Sequence, residues 1–223
     1  MIGPDAPVLQ LEAHLRRRLH PIETYDLARM HLHLNAEEVD PRLRELGLSD
    51  LKPAAVLTPL IVREAGVSML LTRRSDSLRR HSGQVAFPGG RAEPGEMPWA
   101  TALREAQEEI GLDPACVRLL GLGDLYATGT GYLITPVVGF IPPDFVAKPD
   151  PSEVAEVFET PFSFLMDPAN HERRVWTTAD GEARRYYAMP HDGPLIWGAT
   201  AGMVRALYER VFGGADAEIS VDY

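Results

Sequence analysis

The residues best suited to chemistry in this chain are three glutamates, Glu105, Glu108 and Glu109, which lie within five positions of one another. If the segment is helical, side chains three and four positions apart project from the same side and form one acidic face. Like charges at this spacing repel each other by roughly a few tenths of a kcal/mol per pair. Mg²⁺ or Mn²⁺ would relieve the repulsion, because these ions prefer oxygen ligands. The alternative is a solvated helix face, since glutamate is a good helix former.

A helix and a glycine turn are the elements that must position these acids. Helical spacing extends from Pro98 to Ile110. An apolar stripe lies nearly opposite the acids and contains Trp99, Leu103, Ala106 and Ile110. Gly111 follows where a left-handed residue commonly ends a helix. The turn Pro88-Gly89-Gly90 precedes the helix, and backbone carbonyls at such a turn, including that of Gly90, are further candidate ligands for a metal.

A basic cluster stands just before this turn and comprises Arg73, Arg74, Arg79, Arg80 and His81. Arginine forks suit phosphate oxygens, so the cluster is a candidate grip on an anionic substrate. The alternative is a solvated loop with basic residues. Between the cluster and the turn, Gln84 and Phe87 lie in a segment that is predicted to be a buried strand. Packing is the favoured role for both, and Gln84 is retained as a candidate substrate contact.

Composition limits the class of protein. The 223 residues suffice for one domain with a sizeable core. A formal charge of -10 and an isoelectric point of about 5.2 argue against a nucleic-acid partner, which usually requires a basic face. The single cysteine, Cys116, excludes an internal disulfide. The sequence shows no signal-peptide pattern and no run of roughly 18 apolar residues, so we predict a cytoplasmic protein with no membrane partner.

The rest of the chain combines strand-like runs with a few helices. Residues 8–47 show helical spacing and predict an N-terminal helical extension. Short β-type runs begin at Ala54, and the segments RRVWTT and RRYYAM, separated by Asp180-Gly181, predict a hairpin. A second helix is predicted from about Gly198 to Phe212. The fold class is therefore α/β or α+β with a mixed sheet, divided into the extension at residues 1–50 and a main domain at residues 51–223.

The glycine turn and the acidic helix together resemble the Nudix box. Gly90, five residues, Glu96, seven residues and then REAQEEIGL at residues 104–112 match the pattern G-x5-E-x7-R-E-U-x-E-E-x-G-U, where U is a bulky aliphatic residue. Ala106 is small for its U position. The resemblance implies a Nudix-type α/β/α sandwich that hydrolyses a nucleoside diphosphate linked to another moiety.

The resemblance also implies roles for single residues. The family's metal-binding glutamates, for Mg²⁺ or Mn²⁺, correspond to Glu105, Glu108 and Glu109. Their supporting pair corresponds to Arg104 and Glu96. Divalent ions neutralise a pyrophosphate and activate water, which agrees with the chemistry expected of the acidic face. The general base is either a glutamate of the box or an acid of a later segment, Glu153 or Glu156.

The segment upstream of the box resembles the coenzyme A pyrophosphatase branch of this family. The run LLTRRSDSLRRHSGQVAFPGG, residues 70–90, is similar to the signature of that branch, as are EVAEVFETP from Glu153 and IWGATA from Ile196. The resemblance covers about residues 54–210. It implies that coenzyme A or its thioesters are the small-molecule substrate and that 3′,5′-ADP and 4′-phosphopantetheine are the products. The basic cluster then has a natural ligand in the 3′-phosphate.

Other interpretations stay open at the level of sequence. Trp197, Tyr186 and Tyr187 are candidates for stacking on adenine, although packing is the favoured role for such residues. The substrate is alternatively another nucleoside diphosphate derivative, such as ADP-ribose or NADH, or an oxidised nucleotide. A catalytically silent nucleotide-binding sensor is the remaining alternative. Such a sensor is expected to have lost an acid of the box, and none is missing here.

Overall fold

The computed structural model describes residues 2–30, 32–33, 50–77, 82–177, 181 and 183–213. Three members of the predicted basic cluster, Arg79, Arg80 and His81, lie outside the described residues. Most of the second half of the predicted N-terminal extension also lies outside them.

The helices of the described residues are α1 (Val8–Arg18), α2 (Pro98–Ile110), α3 (Phe162–Leu165) and α4 (Ala199–Val211), together with several single 3-10 turns. The predicted acid-bearing helix and the predicted closing helix are therefore confirmed as α2 and α4. Both have 13 residues. In the part of the chain that the structure describes, no helix has the length and apolar character needed to cross a membrane.

The strands of the main sheet are β1 (Leu32–His33), β2 (Lys52–Arg63), β3 (Gly66–Arg74), β4 (Val85–Ala86), β5 (Gly89–Arg91), β6 (Arg118–Leu122), β7 (Leu125–Ala127), β8 (Tyr132–Ile141) and β9 (Val154–Pro161). Among the described residues these nine strands form one sheet, in which β2 is central. β2 pairs antiparallel with β3 and β5 and parallel with β8. The sheet is therefore mixed, as the sequence predicts.

Strand β2 is buried on both faces because helices cover both sides of the sheet. Ala55, Leu57 and Ile61 pack in one apolar cluster with α2. Val56 and Leu60, which alternate with them, pack in a second cluster with α1 and α4. Alternate residues of a strand face opposite sides of a sheet, so the two clusters are the two layers of an α/β/α sandwich. The predicted fold class is confirmed.

The segment before residue 50 packs against the main sheet. Leu11 and Leu15 of α1 are fully buried in the cluster that also contains residues of α4. The prediction of helical spacing fails at Leu32, which belongs to strand β1 and pairs parallel with Leu125 of β7. Pairing with a sheet edge decides the conformation of such a short segment more strongly than local periodicity does. A domain boundary at residue 50 stays a prediction.

A second, smaller sheet consists of β10 (Glu172–Thr177), β11 (Ala183–Met189) and β12 (Ile196–Trp197) within the described residues. β10 and β11 pair antiparallel over six residue pairs, which confirms the predicted hairpin. Met189 and Ile196 are fully buried and join the small sheet to the core. Trp176 and Trp197 remain substantially exposed.

Candidate active site

Helix α2 carries the acids against the central strand. Pro98 occupies its first turn, where the absent N–H costs nothing, and Gly111 ends it with a φ of 70°. Ala102, Ala106 and Ile110 are fully buried against β2 and its neighbours. The small Ala106, a departure from the bulky residue of the box pattern, lies within this packed contact.

The three acids of α2 differ in their exposure, although helical spacing places them on one face of the helix. The side chain of Glu108 is 58% exposed and that of Glu105 is 16% exposed. Glu109 is buried, with 4% of its surface exposed. Its carboxylate accepts a hydrogen bond of 3.1 Å from the backbone N–H of Gly89. Glu109 therefore faces the glycine turn, because Gly89 and Gly90 belong to β5, which pairs with β2 beside the helix.

The glycines of the turn are required by close approach. A Cβ atom at Gly90 would lie 2.5 Å from the carboxylate of Glu105, and one at Gly89 would lie 2.5 Å from the backbone oxygen of Ala55. Both distances are far below van der Waals contact. A side chain at Gly90 would occupy the space in front of the Glu105 carboxylate. The predicted metal-binding turn and acidic helix are thus in direct contact.

Arg104 joins the acidic face to Glu96. Its Nε atom donates to Glu96 at 3.0 Å, and its Nη1 atom donates to Glu105 at 2.9 Å and to Glu108 at 3.2 Å. Glu96 also accepts from the hydroxyl of Thr101 at 2.8 Å. Hydrogen bonding to Arg104 lowers the pKa of Glu96 to about 2. The two residues of the predicted supporting pair are therefore in contact, and Arg104 also contacts two acids of the box.

Burial and mutual repulsion raise the pKa values of two of the acids. Burial raises the pKa of Glu109 to about 7, opposed by the Gly89 N–H and Arg74 and increased by the charges of Glu105 and Glu153. Burial also raises the pKa of Glu105, opposed by Arg104 and increased by Glu108 and Glu153. Glu153, in the turn just before β9, therefore lies close enough to two acids of α2 for its charge to affect their pKa values. Its own side chain is exposed.

Glu156, the second acid predicted from the later segment, lies in a different environment. It is opposite Arg73 in the pairing of β9 with β3. Its carboxylate accepts from Arg73 Nε at 3.3 Å, and Arg73 also donates to Asp76 at 3.3 Å. Arg73 is therefore already engaged by two carboxylates. The structure separates the two candidate bases, with Glu153 near the acids of α2 and Glu156 paired to Arg73.

Arg74 is the described member of the basic cluster that lies at the acids. Its Nη1 atom is 3.8 Å from a carboxylate oxygen of Glu109. Its Nε atom is buried and has no hydrogen-bond partner among the described residues. A buried N–H of this kind is costly unless a ligand accepts from it. Arg74 is thus a stronger candidate for a substrate contact than Arg73.

A cleft of about 570 Å³ opens beside the turn. Arg74, Gly89 and Gly90 line it, and so does Gln84, a candidate substrate contact from the sequence. Other lining residues were not singled out from the sequence, and they include Arg91, Thr128, Gly129, Thr130 and Arg184. Two features of the sequence could have indicated them: the alternation of threonine and glycine at residues 128–131 and the pair of arginines at residues 184–185. Trp197 lines the cleft instead of packing in the core.

The carboxylates fit a divalent cation by chemistry. Their donors are hard oxygens, and two of them have raised pKa values that a positive charge would lower. Within the described residues, no three acidic, histidine or cysteine side chains already surround a single point as ligands. Glu105 and Glu108 are turned toward Arg104 instead. Metal binding by these two acids would therefore compete with their ion pairs to Arg104.

Known proteins resemble this chain over most of its length. The family profile described as the NUDIX domain matches residues 51–179. A protein named "Uncharacterized Nudix hydrolase NudL" from Photorhabdus laumondii subsp. laumondii is 42% identical over 160 residues, covering 71% of this chain and 84% of that protein. A protein of the same name from Escherichia coli O1:K1 / APEC is 40% identical over 158 residues, covering 70% and 81%.

Solved structures give weaker matches. The crystal structure of a C. elegans Ap4A hydrolase binary complex has 18% identity and a TM-score of 0.43, covering 48% of this chain and 77% of that one. The crystal structure of a MutT/nudix family protein from Enterococcus faecalis has 12% identity and a TM-score of 0.45, covering 93% and 73%.

The profile and the relatives show that this chain belongs to the Nudix family. Hydrolysis of small-molecule pyrophosphate compounds with a divalent metal ion is the general activity of that family. The acidic helix, the glycine turn and the adjoining cleft agree with this activity.

The burial of Glu109 predicts a pH-dependent stability. Because its folded-state pKa, about 7, lies above the ordinary value of 4.5, the protonated acid stabilises the fold. This contribution is fully present below about pH 4.5 and is lost as the pH rises through about 7, for a total of roughly 3 kcal/mol. Glu109→Gln should remove this loss. The measurement is the free energy of unfolding in urea at pH 5 and pH 8, with EDTA present.

The exposed Glu108 provides the matched control. Glu108→Gln should show the same fall in unfolding free energy between pH 5 and pH 8 as the wild-type protein. If Glu109→Gln also follows the wild-type pH dependence, the buried carboxylate does not have the raised pKa.

Proposed function

We propose that this protein hydrolyses the pyrophosphate bond of coenzyme A or its thioesters and releases 3′,5′-ADP and (acyl-)4′-phosphopantetheine. The observation that carries the proposal is the contact between the acids of α2 and the turn at Gly89 and Gly90, at the wall of a cleft about 570 Å³ in volume. The similarity of residues 70–90 to the coenzyme A branch supports this choice of substrate. The predicted cytoplasmic location is part of the proposal.

The metal would be held by carboxylates of α2, with Mg²⁺ or Mn²⁺ as the ion. Glu105, Glu108 and Glu109 are the proposed protein ligands, and the carbonyl of Gly90 is a further one. When bound, the ion supplies charge neutralisation of the pyrophosphate and activation of water. Arg104 and Glu96 are positioning residues. Arg104 holds the carboxylate of Glu105 in its orientation, and Glu96 fixes Arg104.

Glu153 is the proposed general base outside the box. It lies close enough to Glu105 and Glu109 to raise their pKa values. Its exposed carboxylate, in the turn just before β9, is available to accept a proton from water. Glu156 is engaged with Arg73, so we assign it to the support of β3 and β9.

Arg74 is the proposed contact to the substrate phosphates nearest the acids. Its buried Nε and its place in the cleft wall both favour an anionic ligand at this point. Gln84, on the same wall, is a proposed polar contact. Arg79, Arg80 and His81 stay candidates for the 3′-phosphate on the strength of the sequence, and Arg73 is the least favoured of the cluster because two acids already engage it.

Glu153 and Glu156 form a matched pair for testing the general base. Glu153→Gln should lower kcat by about two orders of magnitude and change the acidic limb of the pH-rate profile, because it removes a proton acceptor. Glu156→Gln should leave both nearly unchanged. Glu105→Gln is the positive control for loss of a metal ligand, with a similar fall in kcat. A normal rate and pH profile for Glu153→Gln would place the base within the box.

Substrate choice is tested by comparing coenzyme A with dephospho-coenzyme A, ADP-ribose, NADH and an oxidised nucleoside triphosphate, with products identified by mass spectrometry. A charge-assisted contact to the 3′-phosphate predicts a kcat/KM for coenzyme A about tenfold to hundredfold above that for dephospho-coenzyme A. Alanine at Arg79 or Arg80 should narrow the gap, while Arg74→Ala should lower the rates of both substrates.

Other outcomes of this comparison would change the assignment. Equal kcat/KM for the two coenzymes removes the 3′-phosphate contact. Faster turnover of ADP-ribose, NADH or the oxidised nucleotide assigns the site to that compound. No turnover of any compound at saturating Mg²⁺ or Mn²⁺, with nucleotide binding retained, supports a silent sensor.

A further inference from the structure

A second cavity, of about 200 Å³, adjoins the main cleft beside the glycine turn, and none of its lining residues belongs to α2. The two share the segments around Thr128 and Gly198, and both are lined by Arg184 and Trp197. A ligand in the main cleft can therefore extend into the second cavity without crossing the protein. None of the residues assigned to metal binding or proton transfer lines this second cavity.

One face of the small sheet forms the aromatic wall of this cavity. Trp176 is directly opposite Arg184 in the antiparallel pairing of β10 with β11, so the two side chains share a face. Tyr186 is two positions from Arg184 on the same face. Trp197 is opposite Ala188 in the pairing of β11 with β12, which places it on that face as well. All four side chains line the cavity.

The aromatic groups of this wall are accessible. Trp176 is 59% exposed and Trp197 is 40% exposed. The rings of Tyr186 and Trp197 meet edge to face with their centroids 5.7 Å apart. Two tryptophans left accessible at a cleft indicate a binding surface, because such rings are usually covered in a core.

The other wall of the cavity is kept open by glycine. A Cβ atom added at Gly129 or at Gly198 would have no neighbouring atom within 4 Å. Ala127 and Ala199 also line the cavity with small side chains. A slot with aromatic rings on one side and small residues on the other suits a flat group better than a branched or globular one.

We propose that this slot binds the nucleobase of the substrate, with the base packed against Trp197 and Trp176. The inference rests on the proposed function in one respect: it takes the substrate to be a nucleotide whose phosphates lie in the main cleft. Stacking against aromatic side chains accepts any base because every base has a π-face. The slot therefore contributes affinity for the nucleoside half of the substrate.

The position of the cations favours the base over the acyl end of the substrate. Arg184 lines both the slot and the main cleft, so its guanidinium lies between a group bound in the slot and the phosphates in the main cleft. The group in the slot should therefore carry phosphate close by. A nucleoside does so, because its phosphate is attached directly to the ribose. A long, flexible acyl chain would gain little from a short slot that has charged arginines in its wall.

The test measures binding of adenosine 5′-monophosphate and ribose 5-phosphate to the intact protein by isothermal titration calorimetry. The two probes differ in the base. The wild-type protein should bind the nucleotide at least about tenfold more tightly. Trp197→Ala should weaken binding of the nucleotide by about tenfold and leave binding of ribose 5-phosphate unchanged. Trp197→Phe should retain most of the affinity for the nucleotide.

The chain offers a matched control on the same strand. Val175 is 60% exposed and lies next to Trp176, but it points to the opposite face of β10. Trp176→Ala should weaken the nucleotide, whereas Val175→Ala should not. Gly129→Leu, which fills the slot from the other wall, should also weaken the nucleotide and spare ribose 5-phosphate.

Three results would overturn the inference. The first is equal affinity of the wild-type protein for the two probes, and the second is equal weakening of both probes by Trp197→Ala. The third is that Trp197→Ala abolishes the discrimination between coenzyme A and its acyl thioesters but keeps the preference for the nucleotide over ribose 5-phosphate. That result would assign the slot to the acyl arm.

Turnover of coenzyme A by the same preparations separates this inference from the proposed function. If coenzyme A is hydrolysed but binding does not depend on the base, the slot proposal is wrong and the proposed activity stands. If binding depends on the base and the tryptophan variants abolish it, but coenzyme A is not hydrolysed, the slot proposal stands and the proposed substrate is wrong. If both hold, Trp197→Ala should raise KM for coenzyme A and leave kcat nearly unchanged, because stacking remote from the phosphates binds substrate and transition state equally.

Discussion

The buried carboxylate of Glu109 is the constraint on which the arrangement of the site depends. It is held at the contact between α2 and the glycine turn by the backbone N–H of Gly89, and the guanidinium of Arg74 lies 3.8 Å away. Burial of a carboxylate is unfavourable unless a proton, a cation or several donors compensate it. The adjacent acids Glu105 and Glu153 add to the cost. A site of this kind is destabilised on its own and gains most from a bound cation.

The surrounding structure serves to hold that unfavourable group in place. Packing of Ala102, Ala106 and Ile110 on β2 fixes α2 against the sheet. The glycine turn approaches so closely that a side chain at Gly90 would collide with Glu105. Arg104 then bridges Glu96 to the remaining acids and limits their repulsion. Packing in the two apolar layers thus offsets the electrostatic cost of the clustered acids.

The sequence predicted those features whose signals are local. Helix α2 has a clear apolar stripe and a left-handed glycine at its end, and the hairpin has a turn dipeptide between two β-type runs. The contact of Arg104 with Glu96 was predictable because both belong to a fixed pattern in the chain. Strand β1 was missed because a two-residue strand depends on its partner, β7, and has no periodicity of its own.

The features that were missed depend on contacts between distant segments. Helical spacing gives the directions of Glu105 and Glu109 relative to each other, but it cannot show that the glycine turn covers one of them. Tryptophan is a residue type expected in a core. The exposure of Trp197 follows from the pairing of β11 with β12 at the rim of the cleft. The separation of Glu153 from Glu156 depends on the register of β9 with β3. Register of this kind is set by the whole sheet.

Binding of Mn²⁺, followed by electron paramagnetic resonance at neutral pH, tests the central claim most directly. If the buried carboxylate of Glu109 is the main metal ligand, Glu109→Gln should weaken Mn²⁺ binding by at least about tenfold. Ser152→Ala is the control, because Ser152 is exposed in the loop before β9, and it should leave Mn²⁺ binding unchanged. Wild-type affinity for Mn²⁺ in the folded Glu109→Gln protein would contradict the account.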